Sequence, residues 1–166
     1  MTRSIKIEYV APEMAETIVR IHHNAVHQGT AWQFYPKEIL NDWSPPITRD
    51  RIIGFKQKMI ESHAVGLIAY VNGEPLGFGI IDIDQKRIGA IYVKAAFTKL
   101  RIGSRLLEEL EKIARQNGLT RLQLDSSINA QTFYQSHGYI QIAEDFFCLP
   151  NGKRMACVKM TKMLTR

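Results

Sequence analysis

The sequence predicts an α/β fold with a mixed, mostly antiparallel sheet, one parallel strand pair at its centre and helices on both faces. Asn72-Gly73 separates two apolar segments, which is a strong signal for an antiparallel hairpin. A strongly periodic helix that begins near Ile102 lies between two strands, and this order requires a right-handed crossover and a parallel pair. The 166 residues suit a single domain, 1–166, that buries about two-thirds of its unfolded surface.

The first third of the chain is predicted to contain one strand and three helices. Ile5, Ile7 and Tyr9 alternate with polar neighbours, as in a half-buried strand, and two interleaved apolar rows then give a broad helix face. Gly29 and Pro45-Pro46 interrupt the helical segments. The predicted bounds are a strand over 4–10 and helices over 13–27, 36–43 and 48–62, the last capped by Thr48.

The remaining two-thirds alternate strands with helices. Glu108 with Lys112 and Glu111 with Arg115 are spaced four apart on the face of the long helix opposite its apolar stripe, which predicts exposed ion pairs. Asn129 is a candidate N-cap for a short helix over 129–137. The predicted strands span 63–71, 76–84, 88–93, 122–124, 139–147 and 153–161. Asp82 and Asp84 would then share one strand face.

Composition narrows the class of protein. Apolar residues at 45% and charged residues at 23% are typical of a folded globular protein. No apolar run approaches the roughly 20 residues that span a bilayer, and the N-terminal segment lacks a secretory core, so a cytoplasmic protein with no membrane partner is expected. Cys148 and Cys157 are too few for a disulfide scaffold, and both are interpreted as buried or half-buried thiols.

The C-terminal segment is basic within a net charge of +6. A solvated basic strand is the ordinary interpretation, and attraction of a polyanionic cofactor or nucleic acid is the alternative. The aromatic and basic strand pattern of an RNA-binding platform is not apparent, which argues against nucleic acid. The last hairpin is also a candidate edge for a homodimer. The basic residues after Asp145 are Lys153, Arg154, Lys159, Lys162 and Arg166.

Residues 91–104 form a candidate anion site, because a strand runs into a glycine-containing loop and then a helix N-terminus. Unpaired backbone N–H groups and the helix dipole converge at such a point, which could cradle a pyrophosphate. Gly103 would let a ligand approach the backbone, Ser104 would add a hydroxyl, and Lys99 and Arg101 would add positive charge. Neither the Walker lysine loop nor the three-glycine dinucleotide motif is present.

Residues 127–139 place a tyrosine where it could transfer a proton. Gly138 can end the short helix and Phe133 can pack in the core, which leaves its neighbour Tyr134 pointing elsewhere. A tyrosine near a reacting sulfur can protonate a departing thiolate, whereas a buried tyrosine bonded to backbone is the commoner arrangement.

Together the two segments resemble the cofactor-binding half of the GNAT family of N-acetyltransferases. The family's strand, loop and helix correspond to residues 93–103 without insertion, and the order of elements along the chain also resembles that fold. The family's asparagine-alanine, phenylalanine-tyrosine and glycine-aromatic pattern is met by Asn129-Ala130, Phe133-Tyr134 and Gly138-Tyr139.

The resemblance implies direct transfer of an acetyl group from acetyl-coenzyme A to a primary amine of a small molecule or protein, without a metal. The parallel strands would splay near Tyr92 and Leu124 to admit the pantetheine arm, the N–H of Val93 would help to hold the oxyanion, and Tyr134 would protonate the thiolate. The acceptor side would occupy about 12–62 and the coenzyme A half about 87–139. The implied cofactor-binding residues are Ile91, Tyr92, Val93, Thr98, Lys99, Leu100, Arg101, Ile102, Gly103, Ser104, Asn129 and Phe133.

The phosphate loop departs from the family pattern at two positions. Thr98 stands where the family has arginine or glutamine, and Arg101 stands at the first glycine, so only Gly103 remains. A side chain at 101 fits if its φ is negative, and its guanidinium could reach a phosphate. A catalytically inactive coenzyme A-binding module or a basic nucleic-acid-binding protein is therefore the alternative.

The acceptor side is less specified. Asp82 is a candidate substrate contact or base, with the polar end of a hairpin as its alternative. His23 and His27 have the spacing of two metal ligands, but no metalloprotease glutamate or further ligand is evident, so no metal is expected. Because the resemblance places the first helices on the acceptor wall, the other candidate substrate contacts are His23, Trp32, Tyr35 and Trp43, with core packing as the alternative for Trp43.

Overall fold

A seven-stranded mixed sheet organises residues 3–165, the part of the chain that this computed structural model describes. The strands are β1 (Ile5–Tyr9), β2 (Val65–Val71), β3 (Glu74–Asp82), β4 (Arg87–Val93), β5 (Arg121–Ser127), β6 (Ile140–Cys148) and β7 (Arg154–Met163). Their order is β1-β2-β3-β4-β5-β7-β6. The β4–β5 pair is parallel and the other neighbouring pairs are antiparallel, which confirms the predicted sheet.

Helices cover both faces of the sheet, as predicted. The α-helices are α1 (Ala15–Gln28), α2 (Lys37–Trp43), α3 (Arg49–Glu61), α4 (Ile102–Gln116) and α5 (Gln131–Ser136). Leu106 and Leu110 of α4 pack with Leu67. Ile18 of α1 packs with Ile68. Because successive strand residues point to opposite faces, α1 and α4 lie on opposite sides of β2.

Local turn and cap signals were the most dependable part of the prediction. Asn72 and Gly73 have φ of 52° and 79°, the two positive values of a type I′ turn. Thr48 caps α3 by accepting a hydrogen bond from the Arg51 N–H at 3.1 Å.

Three local predictions were wrong. Asp84 lies in the turn after β3 and does not share a strand face with Asp82, whose Oδ1 instead accepts a hydrogen bond from the Gln85 N–H at 2.9 Å. Asn129 is not an N-cap, because a 3-10 helix over Ile128–Ala130 precedes α5. Cys148 is exposed at the end of β6, although Cys157 is buried as expected.

The polar face of α4 also differs from the prediction at Glu111, which is buried. Its carboxylate accepts hydrogen bonds from Lys162 at 2.9 Å, Tyr139 at 3.1 Å and Arg115 at 3.3 Å. The predicted Glu111–Arg115 pair therefore forms, but within the protein. Its other partners come from distant parts of the chain, which helical spacing cannot reveal.

The second predicted pair on α4 is wrong. Glu108 contacts Arg105 at 3.7 Å, and Lys112 contacts Glu109 at 3.9 Å. Both contacts join residues three apart on the helix surface, which is the other spacing at which helical side chains meet.

The basic residues of the last hairpin are largely engaged by acidic or aromatic neighbours. Lys153 contacts Asp42 at 2.8 Å and Lys159 contacts Asp145 at 3.3 Å. The Arg154 guanidinium lies 4.2 Å from the centre of the Phe146 ring. These contacts pair much of the basic charge of the hairpin within the protein, and Arg166 lies outside the described residues. No helix within residues 3–165 has the length and apolarity to cross a membrane.

Candidate active site

The parallel strands β4 and β5 separate almost as soon as they meet. Their ladder contains the single residue pair Arg87 and Gln123. The Lys94 N–H donates to Leu76 O on β3 at 2.8 Å, so strand alternation turns the backbone groups of Val93 and Ile91 towards β5. Because β5 has already diverged there, these groups face a gap. The predicted splay is present.

A cavity of about 110 Å³ occupies the gap and is called the inner cleft. Tyr134 of α5 lies in its wall and is 7% exposed. The other lining residues are Trp43, Arg87, Ile88, Gly89, Ala90, Ile91, Tyr92, Leu124, Asp125, Ser126, Ser127, Ala130, Phe147, Met155 and Cys157.

The two tyrosines of the inner cleft are held in the neutral form. Burial raises the pKa of the Tyr134 hydroxyl well above its usual range, and the Tyr92 phenol beside it adds to this effect. Burial also raises the pKa of Tyr92 to about 12. Both hydroxyls therefore carry their protons at neutral pH, so Tyr134 is suited to donate a proton.

An outer groove of about 260 Å³ continues from the inner cleft towards the end of α1. Five predicted cofactor-binding residues meet there: Ile91, Tyr92, Val93, Thr98 and Asn129. The groove shares Trp43, Ile91, Tyr92, Ser127 and Ala130 with the inner cleft. An elongated ligand could therefore pass from one into the other.

Asn129 presents an unused acceptor beside the outer groove. Its Oδ1 atom is buried and has no hydrogen-bond partner among residues 3–165, while its Nδ2 lies 3.5 Å from Thr30 Oγ1. Leaving a buried acceptor unpaired costs about 1–3 kcal/mol. A ligand with an amide N–H, such as a pantetheine arm, would remove that cost.

The N-terminus of α4 is open to an anion. Arg101 stands at the N-cap position and no side chain caps the helix. The first amides, those of Ile102, Gly103 and Ser104, therefore have no intrahelical acceptor. Arg101 and the preceding Lys99 are exposed, so both side chains can move towards a bound phosphate. Thr98, Lys99 and Leu100 lie in a 3-10 helix over Ala95–Leu100.

The backbone at Arg101 is left-handed, with φ 63° and ψ 20°. The condition under which a side chain fits at this position without strain, a negative φ, is therefore not met. Glycine adopts this conformation without strain, whereas an L-residue with a side chain loses about 1–2 kcal/mol. A glycine, the residue of the family pattern at this position, would adopt this conformation without that cost.

Gly103 also allows α4 to pack closely against α5, whether or not it contacts a ligand. A Cβ atom there would lie 3.3 Å from the Phe133 ring, tighter than an ordinary contact. Phe133 in turn lies 4.6 Å from the His137 ring, and His137 Nε2 contacts Ser104 Oγ at 3.0 Å. Gly103 and Ser104 thus join α4 to α5 next to the proposed phosphate position.

The predicted acceptor residues are not all at the cleft. Trp43 lines both cavities. Tyr35 is buried, and its hydroxyl donates to Ala156 O at 2.6 Å and accepts from the Ile128 N–H at 2.8 Å, so it fastens β7 to the segment before α5. Trp32 is 66% exposed. Asp82 lies opposite Arg87, at the closed end of the gap, with its carboxylate engaged in the turn.

The histidines of α1 fasten the connection between α2 and α3. His23 Nδ1 lies 3.2 Å from Ser44 Oγ, and His27 Nε2 lies 2.7 Å from Ser44 O. Arg51 joins the same cluster through Ser44 Oγ at 3.0 Å and His22 Nδ1 at 3.2 Å. This arrangement explains the shared face of His23 and His27. No group of three or more His, Cys, Asp and Glu side chains that could hold a metal ion occurs in residues 3–165.

His22 should make the protein less stable in mild acid. Burial lowers its pKa to about 3, with a further contribution from Arg51. Between pH 6.5 and pH 3 the unfolded chain therefore binds one more proton, so stability present above pH 6.5 falls as the pH falls, by up to about 1.4 kcal/mol per unit. We expect His22→Gln to flatten this slope in urea unfolding between pH 7.5 and 5. Exposed His63→Gln is the control, and an unchanged slope in His22→Gln would contradict the assignment.

Sequence reasoning missed the polar floor of the inner cleft. Arg87 Nη2 lies 2.7 Å from Asp125 Oδ2 across the gap between β4 and β5. Asp125 Oδ1 is 4.0 Å from Lys159 Nζ, so that oxygen is less tightly engaged. The signal was the alternation of polar Gln123 and Asp125 with apolar Leu122 and Leu124 on β5. The sequence alone did not show that this polar face lies in the gap between β4 and β5.

The comparisons with known proteins agree with this geometry. The acetyltransferase (GNAT) domain family matches residues 45–163. An uncharacterized acetyltransferase of Streptococcus pyogenes serotype M1 is 28% identical over 109 residues, which are 64% of this chain and 74% of that protein. The crystal structure of a GCN5-related N-acetyltransferase, aminotransferase class-II, from Rhodopseudomonas palustris is 28% identical, with 99% of each chain covered and a TM-score of 0.88.

Two more distant structures share the fold and contain coenzyme A or acetyl-coenzyme A. The PaiA N-acetyltransferase of Thermoplasma acidophilum, in complex with coenzyme A, is 20% identical, with 97% and 99% of the chains covered and a TM-score of 0.71. The YncA structure from Salmonella typhimurium, with acetyl-coenzyme A, is 19% identical, with 98% and 95% covered and a TM-score of 0.65.

Proposed function

The chain belongs to the GNAT family of N-acetyltransferases, and we propose that it transfers an acetyl group from acetyl-coenzyme A to a primary amine by direct attack in a ternary complex. The observation that carries the proposal is the divergence of β4 and β5 after a single residue pair, with two continuous cavities along the gap. This arrangement lets a cosubstrate and an acceptor meet between the strands without a covalent enzyme intermediate.

The cosubstrate side fits coenzyme A by its donor and acceptor groups. The unpaired Asn129 Oδ1 and the gap-facing backbone of Ile91 and Val93 suit the amides of the pantetheine arm. The uncapped amides at the N-terminus of α4, with Arg101 and Lys99, suit its pyrophosphate. Acetyl-coenzyme A supplies the activated carbonyl carbon when bound.

Two groups of the chain then act on the thioester, one on its oxygen and one on its sulfur. The Val93 N–H donates to the thioester oxygen as negative charge develops on it. The Tyr134 hydroxyl protonates sulfur as the carbon–sulfur bond breaks and the carbon–nitrogen bond forms. The attacking amine loses one proton to solvent, and solvent returns one proton to the Tyr134 phenolate. The raised pKa of Tyr134 keeps that proton in place until sulfur becomes basic.

The acceptor approaches along the floor of the inner cleft. Asp125 is the carboxylate among the residues that line this cavity, and one of its oxygens is taken by Arg87. The other oxygen can attract an ammonium group into a cleft whose walls, Trp43 and Phe147, are aromatic. Asp125 therefore replaces Asp82 as the acidic contact for an amine.

Calorimetric titration with acetyl-coenzyme A tests the cosubstrate site. We expect micromolar binding by the wild type and a loss of about tenfold or more for Arg101→Glu, since a charge-assisted contact is worth about 1.5–3 kcal/mol. Arg101→Gly is the matched control for the backbone: it relieves the left-handed strain and should raise the free energy of unfolding by up to about 1 kcal/mol. The absence of binding by the wild type would contradict the proposal.

Thiol release from acetyl-coenzyme A with a panel of small-molecule and peptide amines then tests catalysis. Amine-dependent release supports the transferase. Binding of acetyl-coenzyme A without release for any amine would favour the inactive coenzyme A-binding module. Salt-sensitive binding to nucleic acid without affinity for coenzyme A would favour the basic nucleic-acid-binding alternative.

A further inference from the structure

The floor of the inner cleft carries both signs of charge and keeps hydrogen-bonding groups free. A guanidinium group has several N–H donors, and within residues 3–165 the Arg87 side chain uses them for one hydrogen bond, to Asp125 Oδ2 at 2.7 Å. Asp125 Oδ1 accepts no hydrogen bond from the same residues, because Lys159 Nζ is 4.0 Å away and pairs with Asp145 at 3.3 Å. The Arg87 and Asp125 side chains are 40% and 20% exposed, so a ligand in the cleft can reach both.

A zwitterionic head group fits this floor better than a simple cation does. Because Arg87 already pairs with Asp125, the floor has little net charge, and the guanidinium repels an ammonium group that has no carboxylate beside it. In a free amino acid, the α-carboxylate can accept hydrogen bonds from the free N–H groups of Arg87 while the α-ammonium donates to Asp125 Oδ1. A lysine within a peptide has neither charge next to its Cα atom. The Arg87–Asp125 pair therefore selects the head group of a free amino acid.

The position of this floor along β4 indicates which nitrogen of the acceptor reacts. Gln123 of β5 pairs with Arg87, so Asp125 lies at the level of Gly89, and Val93 is four residues further along β4. At about 3.3 Å per residue, and with a register irregularity near Gly89 that shortens the strand, these two levels are roughly 10–13 Å apart. A hydrogen bond at one end and the approach to the thioester at the other take up about 3 Å each. The two nitrogens of the acceptor are therefore separated by on the order of 6 Å.

We propose that the acceptor is a free amino acid with an ω-amine, lysine or ornithine, and that the acetyl group is placed on the ω-nitrogen. This inference rests on the proposed transferase function. In these two amino acids the bonds between the α- and ω-nitrogens span about 6–7 Å in an extended chain. The methylene groups lie against Trp43, Tyr92, Phe147 and Met155, aromatic and apolar side chains of the cleft wall. The head group, the stem and the reacting amine thus each have a place.

The transfer step balances with the chain's own groups. The neutral ω-nitrogen forms a bond to the acetyl carbon as the carbon–sulfur bond breaks, and Tyr134 protonates the departing sulfur to give the thiol of coenzyme A. The attacking nitrogen releases one proton to solvent, and solvent returns one proton to the Tyr134 phenolate. The Arg87–Asp125 pair takes no part in these bonds, so it determines which acceptor binds and not the rate of the chemical step.

Thiol release from acetyl-coenzyme A tests the head group. Free lysine and cadaverine differ only by the carboxylate, so kcat/KM for lysine should be higher by about tenfold or more, the value of one charge-assisted hydrogen bond. Nα-acetyl-lysine N-methylamide lacks both charges of the head group and should also be a poor acceptor. Equal values for lysine and cadaverine would overturn the inference and leave the transferase function intact. The absence of release with any amine would overturn both.

Substitution of Arg87 tests the carboxylate site. We expect Arg87→Gln to abolish the preference for lysine over cadaverine, mainly through a higher KM for lysine, with an unchanged circular dichroism spectrum. Arg87→Lys keeps the positive charge and should retain part of the preference. Lys159→Gln removes a neighbouring exposed charge and is the matched control, with a preference within about threefold of the wild type. A preference that Arg87→Gln retains in full would contradict the assignment.

The position of the acetyl group in the product tests the geometry along β4. Fragmentation of the product in a mass spectrometer should place the acetyl group on the ω-nitrogen of lysine. Diaminopropionate has the same head group but a stem that is too short to reach the thioester, so its kcat/KM should be lower than that of lysine by about tenfold or more. Acetylation of the α-nitrogen, or equal values for diaminopropionate and lysine, would overturn the placement of the head group at Arg87 and Asp125.

Discussion

Tyr134→Phe is expected to lower kcat for acetyl transfer by about 10²-fold to 10⁴-fold, the usual contribution of a positioned general acid. The ring that packs beside Phe133 and Tyr139 is retained, so the affinity for acetyl-coenzyme A should remain within about twofold. Thiol release at saturating acetyl-coenzyme A, with an amine found active in the panel, measures kcat. Calorimetry measures the affinity.

The pH profile separates this role from a structural one. Because the pKa of Tyr134 is raised, the proton donor is present below that pKa and is lost only as the pH rises through it, above the ordinary tyrosine value of about 10. The wild-type rate should therefore rise as the amine deprotonates and not fall again by pH 9. Tyr35→Phe is the control, because it removes a hydroxyl bonded to backbone outside the cleft. A fall in kcat of less than about threefold for Tyr134→Phe would remove Tyr134 from the mechanism.

The parts of the site that depend on turn sequences and hydrophobic periodicity could be predicted from the sequence. Asn72-Gly73 defined a hairpin, and the periodic segment that begins at Ile102 defined α4, whose N-terminal amides no side chain caps. Ile91 and Val93 face the gap because strand alternation follows directly from the sequence once β4 is located. The proposed cosubstrate half of the site therefore depends on short segments whose geometry is nearly local.

The proposed acceptor half depends on contacts between distant segments, which one sequence does not reveal. Asp125 meets Arg87 only because β4 and β5 are parallel neighbours. Tyr35 is a residue type that often contacts substrates. Its hydroxyl is instead hydrogen-bonded to the backbone of Ile128 and Ala156, which lie 93 and 121 residues away in the sequence. The positive φ of Arg101 was also unpredictable, because the loop's shape overrides the preference of the residue.

Glu111→Ala is expected to lower the free energy of unfolding by about 3–5 kcal/mol, the cost of breaking a buried ion pair. The carboxylate is 7% exposed and binds Lys162, Tyr139 and Arg115, so its removal leaves an ammonium group and a hydroxyl without a partner. Burial, together with this carboxylate, raises the pKa of the Tyr139 hydroxyl above its usual range, so Tyr139 remains a donor. Urea unfolding at pH 7.5 measures the change.

A double substitution shows whether the loss comes from the unpaired charge or from packing. Glu111→Leu with Lys162→Met replaces both charges by apolar groups and should cost less than Glu111→Ala alone, since exchange of a whole buried pair is often near neutral. Glu108→Ala, on the exposed face of the same helix, should change stability by no more than about 0.5 kcal/mol. A loss below about 1 kcal/mol for Glu111→Ala would mean that the network contributes little. In that case the packing of α4 on the sheet depends on apolar core residues such as Leu107 and Leu110, and not on this ion pair.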